Sequence, residues 1–91
     1  MPAKDDVQSH VLNFINAFTN INVDDLTSKF LDTKLTDAPF EFDNPSTAAL
    51  TLTLRGYIQN TSPSQTILVT EVRSDGLTLQ GLIDLVFSKF K

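Results

Sequence analysis

The chain has no cysteine and no tryptophan, a single histidine (His10) and only three glycines. Each shortage closes off some chemistry. Without cysteine there is no disulfide and no thiolate metal site, so the core rests on apolar burial alone. Gly56, Gly76 and Gly81 are isolated and form no phosphate-cradling loop. No apolar stretch approaches the ~18 residues that span a bilayer. The opening Met1-Pro2-Ala3-Lys4-Asp5-Asp6 has no apolar run behind its lysine, so no secretory signal is read there. The expectation is a soluble, cytoplasmic protein, although an absence of cysteine fits any compartment.

What is present is enough for one core. At 91 residues there is room for a single domain, 1–91, and none for a second. Apolar residues make up 41% of the chain and include seven phenylalanines, while charged residues make up 20%. Those values are close to globular averages and argue against global disorder. The net charge of −4 is unevenly placed: residues 1–45 hold eight acids against three lysines, and residues 46–91 hold three acids against four bases. An acidic half with no Lys or Arg run repels phosphate backbones and anionic membranes, so neither nucleic acid nor membrane is expected as a partner. A basic protein suits that half better.

Periodicity predicts an amphipathic helix over 4–19, where Val7, Val11, Phe14, Ile15 and Phe18 form one stripe. Asn20 closes it and Asn22 opens a second helix, about 23–33, that buries Val23, Leu26 and Phe30. Pro39 and Pro45 exclude a continuous helix through 34–49. Between them, Phe40-Glu41-Phe42-Asp43 alternates and predicts a short edge strand. Leu50-Thr51-Leu52-Thr53-Leu54-Arg55 alternates more clearly and predicts a strand to about residue 59. The polar stretch 60–65 reads as a turn and 66–73 as the second strand of an antiparallel hairpin. After Ser74-Asp75-Gly76, Thr78 caps a final helix with Leu79, Leu82, Ile83, Val86, Phe87 and Phe90 on one face, and Lys89 and Lys91 at its end. The expected fold class is α+β, in the order α-α-(short β)-β-β-α, with three helices packing an antiparallel sheet. Its alternative is winged-helix-like, since two helices followed by a hairpin resemble that architecture. The slot of a DNA-reading helix holds Thr36 to Asp43, which is acidic and carries Pro39, so the analogy extends to fold alone.

Few residues point to chemistry. His10 is the one side chain that titrates near neutrality, with Asp6 a turn before it. That pair orients an imidazole as a general base requires, but helix neighbours pair in the same way for structural reasons. Asp37, Glu41 and Asp43 lack the spacing and central glycine of a calcium loop. No catalytic, metal or cofactor-binding residue is therefore assigned. Asn60-Thr61-Ser62 is better read as a turn than as a glycosylation site. The feature that stands out is surplus apolar surface: Phe40, Phe42, the two-sided segment 66–73 with Ile67 and Val69, and Leu85. Arg55 and Tyr57 add a polar-aromatic patch on one strand face, and a small sheet leaves edges to be covered. These residues are the expected partner-binding set. The expected function is a small non-enzymatic protein-binding module, regulatory or assembly in role, forming a homodimer. The alternative is a small apolar-ligand-binding protein with the ligand held between the helices and the sheet. An enzyme built on Asp6 and His10 ranks third.

Overall fold

The computed structural model describes residues 2–74 and 76–90. Asp75 and Lys91, read above as part of a turn and as a C-terminal cation, lie outside them. Five helices follow one another: α1 (Lys4–Thr19), α2 (Val23–Lys29), α3 (Asn44–Thr61), α4 (Val69–Val72) and α5 (Leu79–Ser88). Among the described residues there is no strand, and the one β-bridge is isolated, Lys34 to Thr78. The α+β fold with a hairpin, and with it the winged-helix alternative, is therefore incorrect: this is an all-helical domain.

The first and last helices lie where periodicity places them. α1 ends at Asn20, whose left-handed backbone (φ 61°) lets its N–H reach the Asn16 carbonyl. Asn22 caps α2 by accepting from the Asp24 N–H at 2.7 Å. α2 stops at Lys29, earlier than expected, and Phe30 and Leu31 turn into the connection to α3. Thr78 caps α5 through the Gly81 N–H at 3.0 Å.

The segment expected as a strand is the longest helix. Asp43, expected in an edge strand, instead caps α3: its carboxylate accepts from the Ser46 N–H at 2.9 Å. Pro45 sits in the first turn, where its missing N–H costs nothing. Leucine at every second position from 50 to 54 satisfies a strand, but Thr47, Leu50, Thr51, Leu54 and Ile58 also form a helical stripe, and these are the buried residues of α3. The threonines fit because each hydroxyl finds a carbonyl one turn back: Thr47 to Asp43, Thr51 to Thr47 and Thr53 to Ala49. A buried Thr51 thus leaves no orphan polar atom.

Segment 66–73 fails as a strand for a related reason. Ile67 and Val72 point inward, five residues apart, and Leu68 points outward, which suits a bend followed by one helical turn. The bend is held from outside. Arg55 Nε and Nη2 both donate to the Ile67 carbonyl (3.2 and 2.9 Å), and Gln59 Nε2 donates to the Gln65 carbonyl at 3.0 Å. Glu71 then ties α4 to the end of α5 through Lys89 Nζ at 2.7 Å. Gly76, with φ 78°, turns the chain into Leu77, where the 33–35 and 77–79 segments exchange Leu35 N–H to Leu77 carbonyl and Leu79 N–H to Thr33 carbonyl bonds.

The core is built from the inner faces of α1 (Val7, Val11, Ile15), α3 (Leu50, Leu54, Ile58) and α5 (Leu82, Ile83, Val86), all without exposure, with Leu26 from α2. α1 is the central element and packs against α2, α3 and α5, while α4 packs against α3. None of the described helices is long and apolar enough to cross a membrane.

Helix and strand make opposite demands on neighbouring leucines. In a strand Leu52 and Leu54 share a face; in α3 Leu54 is fully buried and Leu52 is 64% exposed. Leu54→Ala is expected to cost about 2–5 kcal/mol in urea unfolding, and Leu52→Ala no more than about 0.5 kcal/mol. Equal losses would contradict the helix. The Lys89 ammonium, hydrogen-bonded to Glu71, holds its carboxyl below the ordinary 4.5. A carboxylate pKa lowered on folding stabilises above the unfolded value, and that stabilisation disappears as pH falls through the folded one. Glu71→Gln is expected to remove the part of the acid-induced stability loss that begins just below pH 4.5, measured as urea midpoints against pH.

Candidate functional site

His10, the chain's one imidazole, sits on the exposed side of α1 beside α3. Its Nδ1 lies 2.8 Å from the Asp6 main-chain carbonyl, not the Asp6 carboxylate. A carbonyl only accepts, so Nδ1 carries the proton. The ring stacks on Tyr57 (centroids 4.7 Å apart, 17° between planes), and Phe14 and Phe90 meet Tyr57 edge-on at 5.7 and 5.3 Å. This cluster fastens α1 to α3 and to the C-terminal end, with aromatic rings around the imidazole. Burial, and then the Asp6 charge, push the Tyr57 hydroxyl above its ordinary 10.0.

The expected partner-binding residues do not form one surface. Phe40 and Ile67 are buried in the core. Phe40 lies between Phe30 and Phe42, with centroids 6.0 and 6.3 Å away, and Phe42 in turn packs edge-on with Phe18. Tyr57 is engaged by His10. The Arg55 guanidinium is spent on the Ile67 carbonyl. Val69 and Leu85 are half-buried. Phe40 lies in a turn and Phe42 in the irregular stretch before α3, neither on a strand, so they share no sheet face and leave no sheet edge.

Among the described residues, the large apolar side chains that do face solvent are Phe18 (39% exposed), Leu52 (64%) and Leu68 (50%). Leu52 and Leu68 were missed because the strand reading puts Leu52 on the inner face and makes Leu68 one of two indistinguishable sides. Leu52 belongs to the outer face of α3, where Pro45, Ala49, Leu52, Gly56 and Asn60 are all exposed and half-buried Thr53 lies alongside. Arg55 is the one charged residue among the 18 of α3. A Cβ added at Gly56 would meet nothing within 4 Å. The helix therefore presents solvent with a smooth, uncharged strip centred on Leu52, with the Arg55-anchored Leu68 segment along its flank.

A second feature is a cleft of about 170 Å³ between the 35–42 turn, the start of α3 and the end of α4. Leu35, Phe42, Val72 and Leu77 supply its apolar lining, and Arg73 lies at its edge. The acidic residues do not combine into a cation site: among the described residues no three His, Asp or Glu side chains converge.

Tyr57 reports on the aromatic cluster directly, being the sole tyrosine in a chain without tryptophan. Its phenolate absorbance is expected to rise with a midpoint above 10.0, and Asp6→Asn is expected to bring the midpoint down by removing the second cause while leaving burial in place. A midpoint insensitive to Asp6 would mean that the carboxylate does not face the ring.

The chain matches no protein-family model, no curated protein and no solved structure, so the functional reading rests on these residues themselves.

Proposed function

We propose that the protein is a small, non-enzymatic, cytoplasmic protein-binding module, regulatory or assembly in role, that pairs with a second copy of itself through the outer face of α3. The observation that carries this reading is Leu52, 64% exposed at the midpoint of a helix whose solvent face bears no charge. Two copies each carrying a net charge of −4 repel one another over most orientations. The neutral strip is where they meet without opposing like charges. A two-fold axis between residues 52 and 53 of antiparallel α3 helices sets Leu52 of one copy against Thr53 of the other. It also sets Ala49 opposite Gly56, small residues that allow the axes to approach to about 8 Å. Such a contact is self-complementary, as a two-fold interface requires.

The magnitude sets what to expect. α3 is about 27 Å long at 1.5 Å per residue. With the Leu68 flank its patch is on the order of 400 Å², half the ~800 Å² per partner of a standard interface. The pairing is therefore weak and concentration-dependent, the regime of a regulated contact. The acidic half of the chain stays outside it, available to a basic protein. Sedimentation velocity over a concentration series is expected to show a reversible monomer–dimer equilibrium. Leu52→Glu is expected to abolish it with an unchanged far-ultraviolet dichroism spectrum. A wild-type monomer at about 1 mM, which limits association to about −4 kcal/mol, would overturn self-pairing. So would a dimer indifferent to Leu52→Glu.

A further inference from the structure

We infer that the cleft beside the start of α3 is a binding site for a small monocarboxylate with an apolar body. This goes beyond the α3 pairing and concerns a different surface. The cleft divides by chemistry. Leu35 and Val72, 4% and 3% exposed, belong to the core and form its apolar floor together with Leu77. Thr36, Asn44 and Arg73 place hydroxyl, amide and guanidinium donors around it.

The sign of the charge follows from which residues line the site. Among the described residues no acid lines this cleft, and Arg73 does. Arg73 forms no ion pair with a described residue. Asp37, Glu41 and Asp43 neighbour lining residues in the chain without lining the cleft themselves, and Asp43 is turned onto the Ser46 N–H of its own helix. Ser74 donates its hydroxyl hydrogen to the Thr70 carbonyl, which leaves its oxygen as an acceptor, so the anion-binding donors are those of Arg73, Thr36 and Asn44. A guanidinium presents two parallel N–H groups to a carboxylate, which makes a monocarboxylate a better match than a neutral apolar molecule.

Size bounds the body of the ligand. An apolar cavity of roughly 150 Å³ takes a benzene ring, and this cleft is about 170 Å³. The ligand is then a ring or a short chain of about six carbons bearing one carboxylate, floor-side apolar and head at Arg73.

The test uses benzoate as probe and benzamide as its neutral counterpart, titrated into the full-length, isotope-labelled protein and followed by amide chemical shifts. Saturable shifts are expected for benzoate at residues 35–36, 72–74 and 77. Benzamide is expected to bind about tenfold or more weakly, the difference an ionic hydrogen-bond pair makes. Arg73→Gln, a change at an exposed position, should erase that difference, and Leu77→Trp, which fills the cleft, should abolish both. Leu52→Glu should leave benzoate binding unchanged, which separates this site from the α3 pairing. Absence of saturable shifts, shifts centred elsewhere, or equal affinity for the two probes would each overturn the inference.

Discussion

The burial of Leu50, Leu54 and Ile58 against the Val7, Val11 and Ile15 face of α1 is the constraint on which the other parts of the molecule depend. About one turn of helix separates each residue from the next in both triplets, so each forms a stripe, and with α1 packed on α3 both shed water into one core. Once α3 takes this orientation, its flank carries Arg55 and Gln59 to the 62–68 segment, where they engage main-chain carbonyls that a bend leaves without helical partners. The bend in turn directs Ile67 into the core and Leu68 out. α4, a single turn, has little stability of its own; it is held by Val72 in the core and by the Glu71–Lys89 pair.

The same orientation creates the two surfaces to which function is attributed. Burying one side of α3 exposes the opposite one, and that side carries no charge in an otherwise acidic chain. The N-terminal end of α3, fixed by the Asp43 cap, forms one wall of the cleft that α4 and the 35–42 turn complete. The aromatic cluster around Tyr57 has a different place. It joins three elements through ring contacts, and the imidazole that looked like the one candidate for chemistry is packed against tyrosine with its Nδ1 directed at a main-chain carbonyl. In this molecule the imidazole is packed into an aromatic tie between helices, and the bland residues of α3 form the surface proposed for pairing.

Much of the helical framework was legible in the residues. The stripes of α1 and α5, the Asn22 and Thr78 caps and the turn at Asn20 follow from local spacing and capping chemistry. α3 was not legible, because Leu50 to Leu54 satisfies two periods at once. A five-residue run with leucine at every second position reads as a strand, and only Thr47 and Ile58, further out, break the tie in favour of 3.6. Threonine, a strand former by propensity, tilts the local reading the wrong way; in the helix its hydroxyl bonds one turn back instead. With α3 misplaced, Leu52 goes to the wrong side, and Phe40, Phe42, Arg55, Tyr57, Ile67 and Val69 are assigned to strands that do not form.

The sequence by itself determined the size of the core, the sparse chemical toolkit, the sign and asymmetry of charge, and the helices whose stripes admit a single period. Those properties are sums over residues or patterns within a few turns, and they need no partner to be read. Only the tertiary structure decided that 44–61 is a helix, that Phe40 and Ile67 are hidden while Leu52 and Leu68 are not, and that Arg73 stands at the edge of an apolar cleft. Each of these depends on which surface α1 offers to a segment whose local preferences are balanced. Burial of several side chains against a distant stripe outweighs a propensity difference of a few tenths of a kcal/mol per residue, roughly.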